Sequence, residues 1–353
     1  MSLLDGAQPA EPVVPNDWDA QRRIASDAAR PVEERLEAYE NIFDSEVGDT
    51  SLSRARNIER DVGLRQLFLK FEGGNPTGTQ KDRIAFAQVM DALRRGFEGI
   101  AAATCGNYGA ALAVAARFAD LRCVVHLPAS YRSRRLGEML RLGVEVVRTP
   151  GDYEQCVDAS RAAAEELEFY DANPGGDNTA LQLQAYGQIA YEIYDELRDA
   201  PAAVAVPVSN GTTLAGLYRG FVSLYRRGKT SRMPRFVAGS SHRKNPIVTA
   251  IRRNLASCED LDPAHIRETE VNEPLINWHS IDGDLALTAI RESQGWAADA
   301  SDRAMRGHAQ RLRKHQGLSV LPASTAGLIA LLERHRADPL PNDRYVAVLT
   351  GRR

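Results

Sequence analysis

The stretch GNPTGTQKDR, residues 74–83, places Lys81 after a turn of Gly74, Asn75, Pro76, Thr77 and Gly78 and directly before an apolar periodicity that reads as a helix. The chain carries 39 arginines and only five lysines, Lys70, Lys81, Lys229, Lys244 and Lys314. A helix N-terminus already bears partial positive charge, so it disfavours a protonated lysine. With burial added, the amine spends part of its time neutral and can condense with a carbonyl to form a Schiff base. Arginine, always protonated, cannot do this. The ordinary alternative is an exposed lysine stem lying over the turn.

Two further loops could meet such an amine. SNGTTLAG, Ser209 to Gly216, follows a strand pattern and opens a helix, where backbone N–H groups converge on an anion with the Thr212 and Thr213 hydroxyls beside them. It is neither a P-loop nor a dinucleotide GxGxxG, and an ordinary strand-to-helix turn reads the same way. TCGNYG, Thr104 to Gly109, also sits between strand and helix. Asn107 could donate to a ligand oxygen there, while Thr104 and the exposed amides could receive a carboxylate. A plain helix cap is the alternative for Asn107. For Cys105, the choices are a reactive thiol of lowered pKa and a small residue filling space.

These loops need a frame, and the hydrophobic pattern supplies one. From residue 99 onward, short apolar runs (GIAAAT, CVVHL, VEVVR, EFYD) alternate with amphipathic helical segments, as in right-handed βαβ units on a parallel sheet. NPGGDN, 173–178, marks an internal boundary. Beyond it a second series follows: a helix over 179–197, the strand AAVAVPV, another helix, the strand RFVAGS, and finally YVAVLT. The segment 255–285 shows no clear period. The expected fold class is α/β, two domains each with a mostly parallel twisted sheet flanked by helices, and ligands beyond the carboxyl ends of the strands.

Composition narrows the function. With 43% hydrophobic and 26% charged residues and a net charge of −3, the chain reads as globular, without the broad basic footprint that nucleic acid needs. The cysteines Cys105, Cys123, Cys156 and Cys258 form no CxxC pair, and His126 and His279 lack a partner at ligand spacing, so no metal is expected. The first residues have neither the basic start nor the apolar run of a signal peptide, and no run is long enough for a membrane span. A cytoplasmic protein with no membrane partner is expected. The basic stretches YRSRR (131–135) and SHRKN (241–245) read as solvated faces, or, should one line a cleft, as a seat for an anionic leaving group.

Taken together, the order of the three loops and a terminal VLTG after a strand resemble the fold-type II pyridoxal-phosphate-dependent enzymes of the tryptophan synthase beta-like superfamily, in particular their threonine synthase branch. The resemblance runs from about Gly48 to Gly351 and takes in GDYEQCVDAS, Gly187-Gln188 within QAYGQIAYEI, and PASTAGL at 322–328. It implies that Lys81 forms the Schiff base with pyridoxal 5'-phosphate and later moves protons, and that Asn107 bonds the ring's phenolic oxygen. Ser209, Asn210, Gly211, Thr212 and Thr213 would hold the phosphate, and Thr350 would face the pyridine nitrogen. Thr104, Cys105, Gly106, Asn107 and Tyr108, with Gln188, would bind the substrate. It also implies a large cofactor domain (18–85 and 180–353), a small substrate domain (86–179), a loose N-terminus (1–17) and a homodimer.

The implied activity is elimination or replacement at Cβ or Cγ of a small amino acid, a lyase reaction with O-phosphohomoserine to threonine first in line. Serine or threonine dehydration, β-replacement on O-phosphoserine or O-acetylserine, and a non-catalytic binding protein are the alternatives. The chain departs from the pattern at Gln80, usually phenylalanine or histidine, and at Cys105 and Tyr108, usually serine and threonine. Ser209 and Thr212 replace glycines, Leu321 stands where many relatives have glutamate, and relatives usually continue beyond the position of Arg353.

Overall fold

The computed structural model describes residues 18–353 except 105 and 132, so the expected loose N-terminus, 1–17, and Cys105 lie outside the described residues. Among the described residues there are ten strands: β1 Leu52–Arg54, β2 Leu67–Phe71, β3 Gly99–Ala103, β4 Arg122–Pro128, β5 Glu145–Thr149, β6 Tyr170–Asp171, β7 Ala203–Pro207, β8 Arg235–Ser241, β9 Trp296–Ala300 and β10 Tyr345–Leu349. They form a six-stranded sheet in the order β1-β2-β10-β7-β8-β9 and a four-stranded sheet in the order β5-β4-β3-β6. Every pairing is parallel except β1 on β2. The fold is thus α/β, with helices flanking two parallel-rich sheets. Among the described residues no helix is long and apolar enough to cross a membrane.

The strands form where the sequence offers unbroken apolar runs: β3, β7 and β10 are buried along their whole length, as strands covered on both faces must be. Helix starts follow side-chain chemistry. Asp152 and Gln155 close a capping box on Tyr153–Glu166, and Asn245 caps Pro246–Arg253 with proline in its first turn. One core joins the two sheets. Phe86, from the helix Lys81–Arg94, packs with Tyr39, Phe43 and Phe118, in the cluster that also holds Ile100 and Val125 of one sheet and Val204 and Val346 of the other. Burying that apolar surface is what fixes the sheets against each other.

An ionic cluster pins the first turn of the Lys81–Arg94 helix. Arg83 reaches both oxygens of Glu72 (2.6 and 2.9 Å) and both of Glu192 (2.6 and 2.9 Å), while Lys70 bonds Glu192 (2.5 Å) and the Thr50 carbonyl (2.5 Å). Two cations meet two anions, so the buried charge is balanced. Lys70 thereby has a structural use of its own.

The structure differs from the sequence expectation in a few places. The helix expected over SRRLGEMLRLG is confined to Leu136–Arg141, and EFYD contributes only Tyr170–Asp171 to a strand. Strands β1 and β9 lie outside the expectation: β1 is only three residues long, and β9 interrupts a region that reads as helical.

Candidate active site

The expected loops all leave the carboxyl ends of parallel strands. The chain turns toward Lys81 after β2, to Thr104, Gly106 and Asn107 after β3, to residues 209–213 after β7, and to Thr350 after β10. They converge on a cavity of about 480 Å³ lined by Lys81, Thr104, Gly106, Asn107, Tyr108, Ser209 to Thr213 and Thr350. Gln188 is not brought there. It lines a separate groove between the helices Thr179–Leu197 and Thr212–Arg226.

Lys81 is the first residue of its helix, and its Nζ stands 5.9 Å from the ring centroids of Tyr108 and of Tyr186. Burial lowers its pKa to about 8, with the Asp282 charge pulling the other way. A measurable fraction of neutral amine therefore exists near neutral pH. The adjoining Asp82 folds back on the turn, its Oδ2 accepting from the Thr77 amide and hydroxyl, both at 3.0 Å. Burial raises the Asp82 carboxyl to about 6 against those bonds.

At the second loop, Gly211 has φ of +92°, and a Cβ added there would stand 2.8 Å from the Asp282 carbonyl oxygen and 2.9 Å from Ala286 Cβ. Only glycine fits this position without strain. The helix Thr212–Arg226 begins here and presents its first-turn N–H groups to the cavity. The Thr212 hydroxyl donates to Asp282 (2.5 Å), which also accepts from Thr179 at 3.4 Å. Its single proton is thus committed, and an anion at this loop depends on backbone N–H groups and Thr213. Behind the loop, Asn245 and Ser280 donate to the Ser209 carbonyl (2.9 and 3.0 Å), and Asn277 donates to Asn210 Oδ1 (2.8 Å).

At the third loop, Thr104 Oγ1 accepts from the amides of Gly106 (3.3 Å) and Gly109 (3.2 Å). The Tyr108 hydroxyl turns away from the cavity to Gln88 and to the Ala172 carbonyl, the latter at 2.7 Å. Asn107 accepts from Arg135 at 3.1 Å. Opposite, the Thr350 hydroxyl bonds Ser324 at 3.1 Å, and its carbonyl accepts from the Gln80 amide at 3.0 Å.

Several residues here escaped the sequence reading. Glu268, Glu273, Asn277 and Trp278, which line the cavity, and Asp282, bonded to Thr212, come from the aperiodic segment 255–285. Asp152 and Glu154 join them from the start of the helix Tyr153–Glu166. Among the described residues, Lys81 is the only basic side chain in the lining. Burial pushes the Glu154, Glu268 and Glu273 carboxyls above their usual range. His242, Arg243 and Lys244 stay outside the lining: His242 faces Asp299 at 3.3 Å and Lys244 bonds the Arg267 carbonyl at 2.5 Å. His126 bonds Thr149 (3.0 Å) and His279 bonds Asp260 (2.7 Å), also away from the lining.

Comparison with known proteins places this geometry. Residues 43–351 match the family model described as pyridoxal-phosphate dependent enzyme. The threonine synthase of Methanocaldococcus jannaschii is 30% identical over 309 residues, 86% of this chain and 74% of that protein. The threonine synthase of Methanosarcina acetivorans is 28% identical over 305 residues, again 86% of this chain and 74% of that protein. Among solved structures, maize serine racemase superposes with a TM-score of 0.73 at 17% identity, covering 90% of this chain and 93% of that one. The processed form of threonine deaminase isoform 2 from Solanum lycopersicum superposes with a TM-score of 0.73 at 14% identity, covering 92% of each chain. At those identities the structural likeness shows the fold.

Proposed function

The chain belongs to the family of pyridoxal-phosphate dependent enzymes, and from that premise we propose that it catalyses elimination or replacement at Cβ or Cγ of a small amino acid, with Lys81 as the reacting amine. The observation that carries the reading is a lysine of lowered pKa, about 8, in the lining of a cavity where four strand-end segments meet. The donor set fits the cofactor. A neutral amine suits its aldehyde, a glycine-tight helix start suits its phosphate, and the neutral Thr350 hydroxyl suits its ring nitrogen. When bound, pyridoxal phosphate supplies an aldehyde for amines and a ring that withdraws electrons from the substrate's Cα.

The chain's own groups then divide the work. The first-turn amides after Gly211, with Thr213, would hold the phosphate. Asn107 would donate its amide nitrogen to the phenolic oxygen. The backbone amides of Gly106, Asn107 and Tyr108 would seat the substrate carboxylate, with Thr104 Oγ1 bracing the turn. Lys81 would take the proton from the substrate's Cα and return one later. A substituent at Cβ or Cγ would then depart with its bonding electrons, and water or another nucleophile would complete a replacement. The division into a cofactor lobe (18–85 and 180–353) and a substrate lobe (86–179) is part of the proposal, supported by the two sheets drawing their strands from these segments. So are the cytoplasmic location, expected from the sequence, and the homodimer, implied by the resemblance alone.

For the substrate, the names of the relatives support O-phosphohomoserine converted to threonine and phosphate. The lining favours a second reading: Asp152, Glu154, Glu268 and Glu273 face a cavity in which a phosphomonoester would bring up to two more negative charges. A substituent that is uncharged while attached, the hydroxyl of serine or threonine or the ester of O-acetylserine, meets less repulsion on binding there. A spectral screen of amino acids and their phosphorylated and acetylated forms, with Lys81→Ala as the blank, tests both. A band change and phosphate release with O-phosphohomoserine supports the first; ammonia and a keto acid from serine or threonine supports the second. No response to any of them contradicts the proposed activity.

A further inference from the structure

Arg135 precedes the short helix Leu136–Arg141 and reaches across to two of the site's loops. Its guanidinium is held as a fork by Glu138, at 2.6 Å to Nε and 3.0 Å to Nη2. The remaining donors point to the site: Nη1 to Asn107 Oδ1 at 3.1 Å, and Nη2 to the Thr77 carbonyl at 3.1 Å. Thr77 is itself tied to Asp82, the neighbour of Lys81. One side chain thus joins the lysine turn to the first residue of the helix Asn107–Ala119.

A guanidinium has donors and no acceptor, so it accepts only one orientation of the Asn107 amide. The oxygen must face Arg135, and the nitrogen must face the other way, into the cavity that Asn107 lines. Without Arg135 the amide can rotate by half a turn and offer an acceptor where a donor is needed. A cation on the amide oxygen also polarises the amide and makes its N–H groups stronger donors. The neighbouring Arg134 does neither: it is exposed and pairs with Glu270.

We infer that Arg135 is a positioning residue, which sets the Asn107 amide so that its nitrogen donates to an oxyanion of the bound cofactor. The inference rests on the reading above that Asn107 faces the cofactor's phenolic oxygen. A donor at that oxygen stabilises the deprotonated form of the bound cofactor more than the protonated form, and so keeps the pH midpoint of its absorption band low.

The test is a double-substitution cycle on protein reconstituted with pyridoxal phosphate, reading that midpoint by absorbance titration. Arg135→Gln, whose amide can satisfy either orientation of Asn107, should raise the midpoint by about one pH unit, the scale of one hydrogen bond to a charged group. Asn107→Ala should raise it at least as much, and Arg135→Gln should add little in the Asn107→Ala background. An equal shift in both backgrounds would mean that Arg135 acts by through-space charge, and would overturn the inference. No shift with Arg135→Gln, alongside a shift with Asn107→Ala, would overturn it while leaving the Asn107 reading intact. No shift with Asn107→Ala would remove the reading beneath it, and the inference with it. Arg135→Lys keeps the charge but loses the fork. It should shift the midpoint the same way by less, and it replaces the glutamine variant in the cycle if that variant does not fold.

Discussion

Arg83 Nη1 and Glu192 Oε1 lie 2.6 Å apart, and this contact fastens the helix that begins with Lys81 to the helix Thr179–Leu197. Burial alone would raise the Glu192 carboxyl, but Arg83 and Lys70 overcome it and hold the pKa down at about 2. Glu192→Gln leaves two buried cations short of an anion and should cost about 3 kcal/mol of stability at pH 7. Because the folded pKa is depressed, the wild-type advantage is complete above the unfolded value near 4.5 and is lost as pH falls toward 2. Denaturant melts of the two proteins should therefore differ most at neutral pH and converge in acid. A constant gap across that window would contradict this account.

The amine of Lys81 sets a second pH dependence. With its pKa lowered to about 8, the neutral fraction rises through that pH, and the rate of cofactor capture at limiting pyridoxal phosphate should rise with it. Asp282 works against the lowering, so Asp282→Asn should move the midpoint of the rate profile downward. Stopped-flow absorbance across pH 6 to about 10 checks the direction. A midpoint near the ordinary lysine value would show the amine to be solvated.

At the start of the helix Thr212–Arg226, Gly211→Ala places a methyl group against the Asp282 carbonyl at a φ of +92°. The strain should weaken cofactor affinity by about tenfold or more while the rest of the fold persists. Equilibrium titration of the cofactor band reads this directly, and unchanged affinity would mean that the loop does not touch the cofactor.

The carboxylates around the cavity predict a salt signature. For a phosphorylated amino acid, repulsion from Glu154 and Glu273 should make KM fall as salt is added, and Glu154→Gln with Glu273→Gln should lower it severalfold at low salt. A neutral amino acid should be indifferent to both. Steady-state kinetics over an ionic-strength series separates the cases. A KM for the phosphorylated substrate that rises with salt would show attraction instead.

Much of this was legible in the residues. Lys81, Asn107 and Gly211 could be placed because each lies in or just after a loop that leads from a parallel strand to a helix, while Thr350, after the last strand, was placed by the resemblance alone. What stayed hidden depends on side chains that meet across long stretches of chain without a local period. Asp282 reaches Thr212 from 70 residues away, and Arg135 reaches Thr77 across 58. Neither partnership leaves a trace in spacing, and Arg135 lay in a basic stretch whose composition matches any solvated face. Gln188 was expected on the resemblance alone; in the structure Tyr186 turns its ring toward Lys81, and two residues further along the same helix Gln188 points to another face and a separate groove.

The central claim is that one amine, at position 81, takes the cofactor. Reduction of the reconstituted protein with borohydride, followed by peptide mass spectrometry, reads it most directly. The account predicts a reduced pyridoxal-phosphate adduct on Lys81 and its loss in Lys81→Ala. An adduct on Lys70, Lys229, Lys244 or Lys314 instead, or none at all from the wild-type chain, would contradict it.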